Sequence, residues 1–222
     1  MFLKDADWYK NCQLKLDYVK NEKEELKRKK ENEKLDVYDE IKINTWLNIL
    51  KSPMEYATYE LTKRTCKKTT SFIPFRKSQY TDKQYRNEIK TKFNYVNNTI
   101  FNIMNELFKT NLYEEFNNMH NKEKHEYINI HHKKVTEKVD EIVLPGNNKI
   151  VSPTFIGNGE NLNVTINDEE LDITKLDGYE YEEKYYFIKN NKEVFNFIEE
   201  VIKMVENFVE SINFYLNNRT KV

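Results

Sequence analysis

Apolar residues recur along most of this chain with a helical period, and the period lapses in only one region. The longest regular stripe is at the C-terminal end, where Val194, Ile198, Val201, Val205, Phe208, Ile212 and Tyr215 step by three or four. Such a stripe predicts a buried helix over about 191–217. A second stripe joins Tyr85, Ile89, Phe93, Val96, Ile100, Ile103 and Leu107. It predicts one sustained helix, with Phe101, Met104 and Phe108 widening its apolar face. Thr81 with Gln84 reads as the capping box that starts it. A further helix is predicted from near Asn111, carrying Leu112, Phe116, Met119, Ile128, Val135 and Val139.

The first helix is predicted over about 5–34. Its apolar seam is thin (Trp8, Cys12, Leu16, Val19, Leu26), and the half from Lys20 to Lys34 is almost all charged. That half reads as a protruding solvated helix or a coiled-coil arm. A second helix carries Ile41, Trp46, Leu47 and Leu50. Ser52-Pro53-Met54-Glu55 then has the form of a capping box with proline at the first helical position, and predicts a new helix running to about Lys68. Phe72-Ile73-Pro74-Phe75 is expected to tuck into the core.

All four glycines lie between Gly146 and Gly178, with Pro145 and Pro153 beside them. There Lys149-Ile150-Val151 and Leu162-Asn163-Val164-Thr165-Ile166 alternate like short strands. Tyr179 to Ile188 fits either strand or helix. The expected fold is therefore mainly α: a helical bundle with a small β-containing insertion at about 143–190, before a long C-terminal helix. The expected division is an N-terminal charged helix or arm at 1–36, then a single helical-bundle domain at 37–222.

Charge narrows the classes of partner. Of 222 residues 33% are charged, yet the net charge is −1, so the charges are interleaved on solvated faces. That balance argues against a dedicated DNA binder or a membrane-surface protein. Basic runs such as Lys27-Arg28-Lys29-Lys30 and Lys67-Lys68 are flanked by acids or solvated. Asn, Lys, Ile, Tyr and Phe are abundant and there are two alanines, the bias of an AT-rich genome. Cys12 and Cys66 are far apart, which suits a reduced, cytoplasmic protein. No stretch is apolar enough to predict a membrane span, and no secretory leader is apparent. The sequons at Asn97, Asn163 and Asn218 reflect asparagine abundance. Gly157-Asn158-Gly159 lacks the context of a phosphate loop, and no G-x-S-x-G is present.

Candidate chemistry converges on histidine, the side chain most easily tuned for proton transfer near neutral pH. His120, His125, His131 and His132 fall within thirteen residues. On one continuous helix His120 and His131 would share a face about 16 Å apart, and His125 and His132 another about 10 Å apart, at about 1.5 Å per residue. Neither pair can chelate one ion, so no metal and no cofactor is expected. Surface histidines on a charged helix are the plainer alternative to a proton-transfer pair. Nearby acids that could orient an imidazole are Glu114, Glu115, Glu123, Glu126 and Asp140.

The string His120-Asn121-Lys122-Glu123-Lys124-His125, with a long closing helix after it, resembles the HEPN superfamily of helical domains. The motif of that family is Arg, a polar residue such as Asn, and His four to six positions on. Here Asn121 and His125 match, and His120 stands at the arginine position. Arg86-Asn87 is a second fragment of similar look, with Lys92 where a histidine would fall. The resemblance covers about 180 residues in layout and six in motif. It implies a protein of a defence, toxin–antitoxin or mobile-element system, either a metal-independent RNase or a catalytically silent relative. In the RNase form His125 would be the base for the 2′-OH, with His120, Lys122 or Lys124 steadying the phosphate and Asn121 binding beside them. RNA is the implied partner, and a protein partner or homodimer is expected. His131 and His132 are left as surface residues. The alternative class is a non-enzymatic helical interaction protein, such as a phage-encoded inhibitor or assembly component.

Overall fold

The computed structural model describes residues 6–32, 34–144, 146–158, 164–166 and 169–219. It is mainly α, with a small antiparallel β region before a long C-terminal helix. The chain divides into two compact units: residues 1–129 with 197–222, and residues 130–196.

The first unit is helical. Helix α1 (Trp8–Asn32) packs on α2 (Val37–Thr65), and α2 packs on α5 (Leu112–His125). Cys12, Leu16, Val19 and Leu26 of α1 are buried, as the seam predicts. The charged half of α1 is no free arm. Lys23 is 4% exposed and pairs with Glu199, and Lys20 pairs with Glu206, both on α6 (Val194–Arg219). Lys42 of α2 holds Glu22 at 2.8 Å. Cross-helix ion pairs thus lay this charged stretch along its neighbours.

Helix α2 runs unbroken through the predicted restart. Asp36 and Asp39 form its actual capping box, while Pro53 lies in its interior. The reason is the stripe itself: Trp46, Leu50, Met54, Ala57 and Leu61 continue across the proline at helical spacing, and all are buried. Burial of that continuous face outweighs the cost of proline in a helix, about 3 kcal/mol. Ser52 does not cap; its hydroxyl donates to the Asn48 carbonyl at 3.2 Å.

The stripe predicted as one helix from Tyr85 to Leu107 is two, α3 (Asp82–Phe93) and α4 (Asn98–Glu106). Asn94 takes a left-handed conformation (φ 54°), and Asn97 caps α4 by accepting from the Ile100 amide. The Thr81–Gln84 box is present as expected. Ile73 and Pro74 are buried, and Tyr85 Oη donates to the Pro74 carbonyl at 2.9 Å; Phe72 remains exposed. From residue 197 on, α6 buries Phe197, Ile198, Val201, Ile202, Val205 and Val209.

The second unit begins earlier than the expected insertion. Strand β1 (His131–Lys138) lies between β4 (Thr154–Gly157) and β7 (Glu180–Phe187), antiparallel to both. Two-stranded ribbons pair β2 (Glu141–Val143) with β3 (Lys149–Val151), and β5 (Val164–Ile166) with β6 (Glu169–Leu171). Leu162 and Asn163 of the predicted strand lie outside the described residues. Val139, Ile142 and Ile173 form a small core against which Phe155 and Tyr179 pack. Gly178 has φ +68°, and a Cβ there would fall 2.2 Å from the Asp140 carboxyl.

Candidate functional site

Helix α5 presents Tyr113, Phe116, Met119 and His120 to the core at steps of three, three and one. It ends at His125, not beyond it. The Glu126 and Tyr127 amides both donate to the Lys122 carbonyl, and Asn129 pins the departing chain by donating to the Met119 carbonyl. His131 and His132 therefore lie on β1, not on a continuation of this helix. His131 is buried, with its ring centroid 4.6 Å from that of Phe187 and edge-to-face. Burial pushes its pKa down to about 4. The expectation of a surface position does not hold for it. His132 is half-buried and stacks on Tyr186.

A cavity of about 180 Å³ opens in the first unit where α2 faces α5. Lys51, Glu55, Asn117, His120, Asn121 and Lys124 supply its polar wall, and Phe72, Ile73, Phe75 and Tyr113 its apolar one. Three of the five residues singled out from the sequence meet there: His120, Asn121 and Lys124. The other two do not line it. His125 is exposed, and Lys122 places its ammonium 4.4 Å from the Tyr127 ring centroid.

Lys51 is the residue that sequence reasoning missed. Its side chain is 7% exposed. Its Nζ donates to Tyr113 Oη at 3.0 Å and Asn117 Oδ1 at 2.8 Å, and lies 4.8 Å from the Tyr113 ring centroid. Both acceptors are neutral. Burial therefore pushes the ammonium down to about 8, opposed only in part by the Glu55 carboxylate. The ammonium remains mostly protonated at pH 7. The available signal was position: Lys51 stands four residues after Leu47 and three before Met54, inside an apolar stripe.

His120 is 7% exposed, and its Nδ1 lies 3.3 Å from Asn121 Oδ1. Burial lowers its pKa to about 4, and the charge of Lys51 adds to the shift. His120 is thus a neutral imidazole at physiological pH, while Lys51 and Lys124 bring positive charge and Glu55 negative. This combination of fixed donors and a desolvated ammonium suits a small anionic group better than proton transfer. Among the described residues no three His, Cys, Asp or Glu side chains gather to hold a metal ion, and no helix is long and apolar enough to cross a membrane. No family model, curated protein or solved structure matches the chain.

Proposed function

We propose that the helical unit is a HEPN-like RNA-binding module that holds one backbone phosphate in the Lys51–His120 cavity without cleaving it. The observation that carries this reading is the buried Lys51 ammonium, whose hydrogen-bond acceptors are both neutral. Among the described residues this cation forms no direct ion pair of the kind that buried ions ordinarily have, and Glu55 compensates it only in part. A phosphate oxygen would provide one. Lys51 also supplies, from α2, the positive charge that the motif lacks at His120. The cavity is small for a nucleotide and suits a single phosphate. Transesterification needs a base for the 2′-OH. His120, held near 4, is a weak one, and the exposed His125 is outside the cavity lining.

The test is fluorescence anisotropy with a labelled single-stranded RNA. Lys51→Met should weaken binding at least about tenfold, the usual scale for a charge-assisted contact, while Lys122→Ala should change it little. Equal affinity of wild type and Lys51→Met overturns the reading. Cleavage products that vanish in His125→Ala would restore the RNase alternative.

A second reading, a non-enzymatic interaction protein, is favoured by Val37, Tyr38 and Ile41, which stand exposed together on the first turns of α2. Its test is solution mass. A dimer that Tyr38→Lys converts to monomer supports it, and a wild-type monomer removes the homodimer form.

A further inference from the structure

A second recess of the helical unit is absorbed neither by the phosphate cavity nor by the core. It is a groove of about 590 Å³ between α1 and α2, lined by Asn11, Leu14, Lys15, Tyr18, Ile49 and Tyr56. Tyr18 and Tyr56 are 49% and 41% exposed, and Tyr59, one helical turn from Tyr56, is 44% exposed. Leu14 and Ile49 give the groove an apolar floor. Lys15 is the one charged side chain among its lining residues, and among the described residues it forms no ion pair. Its ammonium lies 5.5 Å from the Tyr56 ring centroid, and Lys63 stands 5.6 Å from that of Tyr59.

Exposed tyrosine rings, an apolar floor and a cation with no carboxylate partner among the described residues are together complementary to a flat π-faced group attached to an anion. A nucleobase on its phosphodiester has that composition, and stacking on tyrosine tolerates every base because each has a π-face. Helix α2 carries both sites: Tyr56 follows Lys51 by five residues, roughly 140° round the helix and 7.5 Å along it.

We propose that this groove takes an unpaired base of single-stranded RNA, stacked on Tyr56 and Tyr18, with Lys15 against the adjoining phosphate. The inference rests on the RNA reading above and assigns strand type to it: single strands over duplexes, with little regard for sequence.

The experiment compares three ligands of equal length by anisotropy: oligouridylate, the same ribose-phosphate backbone without bases, and a duplex. Wild type should bind oligouridylate about tenfold or more tighter than the abasic strand and the duplex. Tyr18→Leu with Tyr56→Leu should lose that advantage while leaving abasic affinity unchanged, since stacking contributes about tenfold to a hundredfold per base. Tyr18→Phe with Tyr56→Phe should keep the advantage, and its thermal midpoint serves as the folding reference. Equal wild-type affinity for oligouridylate and abasic strand, or an undiminished advantage in the leucine variant, overturns the groove. Lys51→Met separates the two ideas. If it leaves abasic binding intact while the leucine variant loses oligouridylate, the phosphate cavity fails and the groove stands. If it weakens all three ligands while the leucine variant binds normally, the reverse holds.

Discussion

Asn44 and Asn129 bond each other through both side chain and backbone. Asn44 Oδ1 accepts from the Asn129 backbone and side-chain amides, each at 2.9 Å, and Asn44 Nδ2 donates back to the Asn129 carbonyl at 3.1 Å. Both residues are buried. This exchange fastens the chain leaving α5 to α2, and so holds in place the helix that carries His120. Replacement of Asn44 by Ala leaves two buried donors of Asn129 without that acceptor. The side-chain amide keeps the Met119 carbonyl, so the backbone amide is the donor left unsatisfied, and the expected loss is about 1–3 kcal/mol. Urea unfolding of the variant should show it as a lowered midpoint with an unchanged slope; an unchanged midpoint would show that this exchange does not hold α5 against α2.

Lys51 makes stability rise with pH on the alkaline side. Its folded pKa, about 8, is below the ordinary lysine value of 10.5. Between the two the unfolded chain binds more protons than the folded one, so its contribution is full above 10.5 and is lost as pH falls through 8. Full neutralisation is on the order of 3 kcal/mol. Tyr85 and Tyr113, both raised by burial, act oppositely above pH 10. The comparison is therefore between wild type and Lys51→Met from pH 8 to 10: the stability difference should shift toward wild type as pH rises, and a constant difference contradicts the shift.

Acid should act through two histidines. His120 and His131 both have folded values of about 4, against 6.5 when free. Each contributes stability present above 6.5 and lost as pH falls through 4, because the unfolded chain takes the proton first. His120→Gln should flatten the decline between pH 6.5 and 4 relative to wild type by up to about 3 kcal/mol. Urea midpoints across that window measure it; parallel declines in the two proteins exclude His120 as a source.

Cys12 is fully buried, its Sγ lies 3.5 Å from the Pro53 carbonyl, and burial pushes the thiol up to about 12. The thiolate is the reactive form. Iodoacetamide should therefore leave Cys12 unmodified in the native protein and alkylate it after denaturation. Peptide mass spectrometry reads both states, and rapid native labelling of Cys12 would show that α1 separates readily from α2.

The helical period made α6 legible to within a few residues, because every stripe position from Val194 to Tyr215 is buried. Thr81–Gln84 was legible for the same kind of reason: a local signal and the tertiary structure agree. At Ser52-Pro53 they disagree, and the buried stripe of α2 prevails over a well-formed start signal. Asn94 breaks a stripe that periodicity alone carries through, since a left-handed asparagine leaves no mark on hydrophobic spacing. Strand β1 was hidden because His-His-Lys-Lys-Val-Thr-Glu-Lys shows little apolar alternation; its inward Glu137 is satisfied on one oxygen by Tyr179. Three of the cavity's lining residues, His120, Asn121 and Lys124, were visible as the histidine motif. Lys51 was not, because a lysine within a stripe points to a site only once the neutral character of its partners is known.

Proline at position 53 has a mechanical consequence for α2. It has no amide to donate, so the Ile49 carbonyl lacks its rung in the helix ladder. Residues 49–53 are therefore held by one backbone hydrogen bond fewer than an uninterrupted turn. Lys51 lies among them, Ile49 floors the aromatic groove, and Pro53 accepts the Cys12 contact. Residues lining each recess therefore lie on or beside the one turn of α2 whose hydrogen-bond ladder is incomplete.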